Sequence, residues 1–138
     1  MNYLTRGLAL ERSLHRHCPQ AVLWILCMDS LCYESLLKLN LSKVNLIRRE
    51  DFERGDEELA GARKDRTPVE YYFTCTSSIL LYLFQHHPDL KLLTYIDSDF
   101  FFFSDPTEIL LDVAKYSISI TPHRFPTNLR FLERSYGI

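Results

Sequence analysis

No stretch of this chain reaches the roughly 20 consecutive apolar residues that a membrane span requires. Its first dozen residues, from Met1 to Arg12, are too polar for a secretory signal. A net charge of −2 gives no general pull toward nucleic acid or an anionic membrane. Neither Gly-x-Gly-x-x-Gly nor a Walker-type loop is present, so dinucleotide and P-loop readings lose support. Cys18, Cys27, Cys32 and Cys75 form no Cys-x-x-Cys pair and have no His at zinc-finger spacing. They read as reduced thiols packed as small hydrophobes, which implies a cytoplasmic setting. Repeats, low-complexity tracts and linkers are also missing, so residues 1–138 read as a single domain.

What is there suits a folded core. Of the 138 residues, 46% are hydrophobic. Leu4, Leu8 and Leu14 mark one side of a first helix that ends near His17-Cys18-Pro19. Residues 21–28 form a continuous apolar run with Val, Trp and Ile, expected to be a strand buried on both faces. Asp29-Ser30 can cap a second helix with Leu31, Leu36 and Leu39 among its apolar positions. A short strand follows at residues 44–47. The charged stretch 48–66, with Gly55 and Gly61, reads as a short exposed helix and a mobile loop.

Thr67-Pro68-Val69-Glu70 is a helix start, with Thr67 as cap, Pro68 in the first turn and Glu70 closing a capping box. The helix is expected to reach about His86 and to bury Val69, Tyr72, Phe73, Leu80 and Leu83. A third strand is expected at 92–96. A helix started by Asp105-Pro106-Thr107-Glu108 comes next, and then a fourth strand at 117–121. Strands alternating with helices imply a parallel sheet with helices on its faces. Ligands in such sheets lie beyond the carboxyl ends of the strands. The chain opens with a helix where such a sheet usually begins with a strand, and it stops just after a loop. The fold is therefore expected to be incomplete at both ends.

Tyr95-Ile96-Asp97-Ser98-Asp99 carries the chemistry. The apolar run ends in two carboxylates, and a second apolar run, Phe100 to Phe103, follows at once. Two acids in such surroundings are costly to bury unless a cation or hydrogen bonds satisfy them. Mg²⁺ or Mn²⁺ takes one or two carboxylates and fills its open positions with phosphate oxygens and water. A cation at Asp97 and Asp99 could thus hold a diphosphate and stabilise charge on it as it departs. The plainer reading is a strand-end turn with one Asp capping the loop.

The segment from Tyr95 through Ser104-Asp105-Pro106 resembles the Asp-x-Asp region of glycosyltransferases with the nucleotide-diphosphosugar fold, called GT-A. Asn2-Tyr3-Leu4 and the helix ending Ser13-Leu14 resemble the family 8 opening. Arg66-Thr67-Pro68-Val69-Glu70-Tyr71-Tyr72-Phe73 resembles the helix before the Asp-x-Asp strand. The strand at 117–121, ending in Pro122-His123-Arg124, resembles a bacterial branch of sugar transferases. The resemblance implies an α/β, Rossmann-like GT-A fold with a mostly parallel sheet and flanking helices. It implies transfer of a sugar from a nucleotide-sugar donor, a UDP-sugar foremost, to a carbohydrate or other hydroxyl acceptor. Asp97 and Asp99 would bind the divalent cation (Mn²⁺ or Mg²⁺), with Asp97 also near the ribose and Ser98 within the donor site. Asn2 and Tyr3 would lie near the base, and Arg66 near the diphosphate or sugar. No catalytic base is assignable.

Other residues have competing readings. His123 beside Arg124 could face the same cleft or sit in a surface loop. His15, His17, His86 and His87 flank helix ends, where partial positive charge is favourable. Arg63, Lys64 and Arg66 could bind phosphate or belong to a solvated loop, since acids from Glu50 to Glu58 precede them. Phe100 to Phe103 could stack on bases, but core packing is the stronger expectation. Haloacid-dehalogenase-type phosphatases also carry Asp-x-Asp after a buried strand, with Thr or Val two residues past the second Asp. Here that position is Phe101. A third reading is a non-catalytic or truncated nucleotide-binding α/β domain.

Overall fold

Leu23 and Trp24, neighbours in the chain, face two different apolar clusters. Trp24, Leu26 and Met28 pack on a cluster built from Phe52, Leu59, Tyr71, Cys75, Ile79 and Leu83. Ala21 and Leu23 pack on a second cluster formed by Leu14, Cys18 and Phe102. This period-two alternation is what a strand between two helical layers requires. The computed structural model describes residues 3–116 and 125–136.

The chain divides into two units, Met1–Asp105 and Pro106–Ile138. In the first, α1 (Leu4–His17) leads to β1 (Leu23–Cys27), α2 (Ser30–Leu39) and β2 (Val44–Arg48). Three helices follow: α3 (Arg49–Phe52), α4 (Glu57–Asp65) and α5 (Pro68–His86). β1 and β2 pair in parallel, with Leu23 opposite Val44 and Cys27 opposite Arg48. A parallel pair needs a crossover, and α2 supplies it. The chain is therefore mixed α/β. Among the described residues the sheet has two strands. No helix of the described residues is long and apolar enough to cross a membrane.

Local chemistry explains the helix ends. The Asp29 carboxylate accepts the Cys32 N–H at 2.7 Å and caps α2. Asn40 ends that helix at φ 45°, a left-handed position that Asn tolerates better than most residues. Thr67 and Glu70 form a reciprocal capping box at the start of α5.

Several expectations are corrected. Within residues 48–66 the expected helix is joined by a second, α3 and α4, and the rest is not the mobile loop expected. Asp56 accepts the Leu59 N–H at 2.8 Å to cap α4, and Phe52 and Leu59 are buried. Gly55, at φ +83°, makes the turn between α3 and α4, which a side chain would strain. The buried face of α5 is Tyr71, Cys75, Ile79 and Leu83, a stripe repeating every fourth residue. Val69, Tyr72 and Phe73 are exposed instead. The helix is apolar on several sides, so periodicity alone does not set its rotation. In α2, Leu36 is buried while Leu31 and Leu39 are exposed.

β1 is half-buried over most of its length, with only Cys27 fully covered, because its sheet is narrow. Residues 92–96 form no strand, since their backbone joins no ladder among the described residues. Leu93 packs on the α5 cluster and Ile96 on the α1 cluster, so packing rather than pairing holds the run. Of the four consecutive phenylalanines, Phe102 alone is buried, while Phe100, Phe101 and Phe103 are exposed.

In the second unit, α6 (Thr107–Val113) forms as expected. Its N-cap position falls on Pro106, one residue after the Asp105 that the sequence offered as the cap. A 3-10 helix covers Thr127–Tyr136, where a loop was expected. The fourth strand expected at 117–121, with Pro122, His123 and Arg124, lies outside the described residues.

Candidate metal and diphosphate site

Asp97, Ser98 and Asp99 occupy a turn closed by the Phe100 N–H donating to the Asp97 carbonyl at 3.0 Å. All three residues are exposed, so water already solvates the carboxylates. The burial expected from the apolar surroundings is thus not found. The turn follows an unpaired run rather than a strand end.

Both flanks of the turn are tied to the α1 cluster. Ile96 packs on it before the turn, and Phe102 belongs to it after the turn. The Phe102 N–H donates to Ser13 Oγ at 3.0 Å, and Ser13 Oγ donates to the Leu10 carbonyl at 2.9 Å. Ser13 is buried, so this polar anchor is shielded from water. A solvated pair of acids is thereby held on a fixed base.

Arg6 brings two of the expected site residues together. Its guanidinium lies 3.6 Å from Asp99 and 5.2 Å from the centroid of the Tyr3 ring. Tyr3 and Arg6 are one helical turn apart, a spacing that favours contact. Arg6 and Asp99 are both more than half exposed, so the pair contributes little to stability. Asn2 lies outside the described residues.

Arg66 sits elsewhere, in a cleft of about 240 Å³ lined also by Arg49, Arg63, Tyr71 and Tyr72. It donates to the Thr74 hydroxyl from one guanidinium nitrogen. Behind it, Glu53 accepts the Tyr71 hydroxyl at 2.7 Å and faces Arg63 Nε at 3.3 Å and Arg49 Nε at 3.5 Å. Burial, reinforced by the bond to Glu53, pushes the Tyr71 phenol well above its ordinary range.

Three of the histidines, His15, His86 and His87, have structural partners. His15 lies 2.9 Å from the buried Glu11 carboxylate through Nδ1 and 3.0 Å from the Ala21 carbonyl through Nε2. His86 stacks on Tyr82, and His87 packs against Trp24. Among the described residues no three His, Cys, Asp or Glu side chains gather as a closed metal cage. Two open carboxylates still suit a cation that keeps water and accepts phosphate oxygens.

Sequence reasoning missed Arg6, Ser13 and the Glu53–Tyr71 pair. The spacing of Tyr3 and Arg6 was readable as a helical neighbour pair, whereas Ser13–Phe102 and Glu53–Tyr71 depend on tertiary packing and leave no local pattern.

No family model matches the chain, and no solved structure matches it. It is similar to "Uncharacterized protein YfnD" of Bacillus subtilis (strain 168), with 34% identity over 122 residues, covering 88% of this chain and 39% of that protein. "Uncharacterized protein YfnF" of the same organism is 33% identical over 118 residues, covering 86% of this chain and 38% of that protein. The chain therefore spans about two-fifths of the length of the curated relatives it matches.

Proposed function

We propose that this chain is the donor-binding part of a metal-dependent glycosyltransferase. It would pass a sugar from a nucleotide-diphosphate sugar, a UDP-sugar foremost, to a hydroxyl acceptor. The fold that goes with this reading is a Rossmann-like GT-A sheet, mostly parallel and flanked by helices. The parallel β1–α2–β2 unit between two helical layers is compatible with it.

The observation that carries the proposal is the exposed Asp97-Ser98-Asp99 turn, tied at both flanks to α1 through Ile96 and Phe102. Preorganised carboxylates lose little freedom when they take up a ligand. Asp97 and Asp99 would hold Mn²⁺ or Mg²⁺, which supplies charge neutralisation for a departing nucleoside diphosphate. Tyr3 would offer an exposed ring beside that turn for the nucleotide base. Arg66 would orient the donor from its own cleft.

Calorimetric titration of the chain with UDP and GDP, with and without Mn²⁺, tests this reading beside Asp99→Ala. Nucleotide binding that Mn²⁺ tightens, with the Mn²⁺-dependent gain lost in Asp99→Ala, is the expected result. A folded chain that binds neither nucleotide in Mn²⁺ would overturn it. A nucleotide-binding domain without transfer is the second reading, favoured by the two-stranded sheet of the described residues. It predicts the same titration with no transfer of sugar to any acceptor.

A further inference from the structure

We infer that the arginine-lined cleft between α3, α4 and α5 is a metal-independent site for a phosphoryl group. The inference stands whether or not Asp97 and Asp99 hold a cation. Three guanidinium groups from three positions in the chain line one cavity of about 240 Å³: Arg49, Arg63 and Arg66. Arg49 opens α3, Arg63 lies in the last turn of α4, and Arg66 is the residue that ends α4. Like charges converge in this way at the expense of stability unless something offsets their repulsion.

Within the fold the offset is partial. Glu53 is the carboxylate behind the cleft, and its side chain is only 10% exposed. It meets Arg49 and Arg63 through Nε in each case. Nε is the inner nitrogen of the group, and the terminal nitrogens form the fork that binds oxyanions. Glu50 pairs with Arg49 at 2.6 Å, but it is more than half exposed and therefore screened.

A second observation points the same way. Arg49 Nε is buried and makes no hydrogen bond, because its separation of 3.5 Å from Glu53 is too long for one. A buried donor left unmade is costly, so Glu53 leaves the guanidinium of Arg49 only partly satisfied. Arg66 adds a guanidinium at the mouth, and the exposed Tyr72 ring adds an apolar wall. This chemistry suits a compact anion with several acceptor oxygens attached to a larger body. The phosphoryl group of free phosphate, of a sugar phosphate or of a nucleotide meets that description.

The test is titration of the chain with inorganic phosphate, a hexose 1-phosphate and UDP, all in EDTA. Wild type is compared with Arg63→Gln, Arg66→Gln, Glu53→Gln and, as a control, the exposed Arg12→Gln. Loss of one charged hydrogen-bonding partner should weaken binding about tenfold or more in Arg63→Gln and in Arg66→Gln. Arg12→Gln should bind as wild type does. Glu53→Gln should bind more tightly, because the competing carboxylate is gone. The phosphate ester that binds best identifies the source of the group. Equal weakening in Arg12→Gln would reduce the effect to diffuse surface charge and overturn the inference. So would a folded wild type, checked by circular dichroism, that binds none of the three ligands.

Discussion

Ser13 Oγ accepts the Phe102 N–H at 3.0 Å, joining residues 89 positions apart inside the α1 cluster. The bond fastens the far side of the aspartate turn to a helix at the start of the chain. Ser13→Ala should leave a buried N–H without an acceptor, at a cost of about 1–3 kcal/mol. Urea unfolding should show a lower midpoint with an unchanged slope. The Phe102 amide should also exchange with solvent faster. An unchanged midpoint together with an unchanged exchange rate would remove Ser13 as the anchor.

Cys27 has the most fully buried side chain in the described core, and burial pushes its thiol up to about 12, with Cys32 adding to the shift. The folded state therefore holds a proton that the unfolded chain releases near 9.0. Stability from this group is complete below the unfolded value and falls as pH rises from there toward about 12. Tyr71 and Cys75 are shifted in the same direction, so the alkaline slope should be steep. Denaturant midpoints across that range should decline, and Cys27→Ala should flatten the decline. At neutral pH the half-buried Cys32 should react with a thiol reagent well before Cys27 does. Equal reaction rates would contradict this account.

Features that rest on neighbours in sequence were legible. The caps at Asp29 and Thr67, the break after His86 and the strands at 23–27 and 44–48 follow from residue type and short spacing. The rotation of α5 was not legible, because Tyr72 and Phe73 are as apolar as Tyr71 and Cys75 and only packing on Phe52 and Leu59 chooses between them. Residues 92–96 have strand composition, yet a strand exists only where a neighbour accepts its hydrogen bonds. The aspartate motif was visible in the sequence. Its exposure, its pairing with Arg6 and its anchoring through Ser13 are tertiary facts. Arg63 and Arg66 were visible as possible phosphate binders, but their convergence with Arg49 in one cleft is a tertiary fact too.

The capping box gives an acid-side prediction. Glu70 accepts from the Thr67 N–H at 2.9 Å and from its hydroxyl at 2.7 Å, and these bonds hold its carboxyl below the ordinary range. Its contribution is complete above the ordinary carboxylate value and fades as pH falls through the lowered folded value. Thr67→Ala should cost about 0.5–2 kcal/mol at neutral pH. Glu70→Ala should also destabilise at neutral pH, and its deficit should shrink as the buffer is taken from about pH 6 to about pH 3. Thermal unfolding of both variants across that range checks this. A deficit for Glu70→Ala that grows in acid would exclude the assigned role.

Arg6 occupies the position that a cation at Asp99 would have to share. Its guanidinium lies 3.6 Å from the carboxylate, and both side chains are more than half exposed. Such a pair contributes at most about 1 kcal/mol, so Arg6→Gln should hardly change the unfolding midpoint. Its effect on metal binding should be larger, because removing a positive charge at that distance relieves repulsion against a divalent ion. Arg6→Gln is therefore expected to tighten Mn²⁺ binding several-fold, read from the free-ion signal in an electron paramagnetic resonance titration. The gain should be largest at low salt, where the charge is least screened. Asp99→Asn should abolish it, since the variant removes the carboxylate on which Arg6 and the ion compete. If Arg6→Gln binds Mn²⁺ no better than wild type at low salt, Asp99 is not a ligand that Arg6 guards, and Asp97 alone would have to carry the ion.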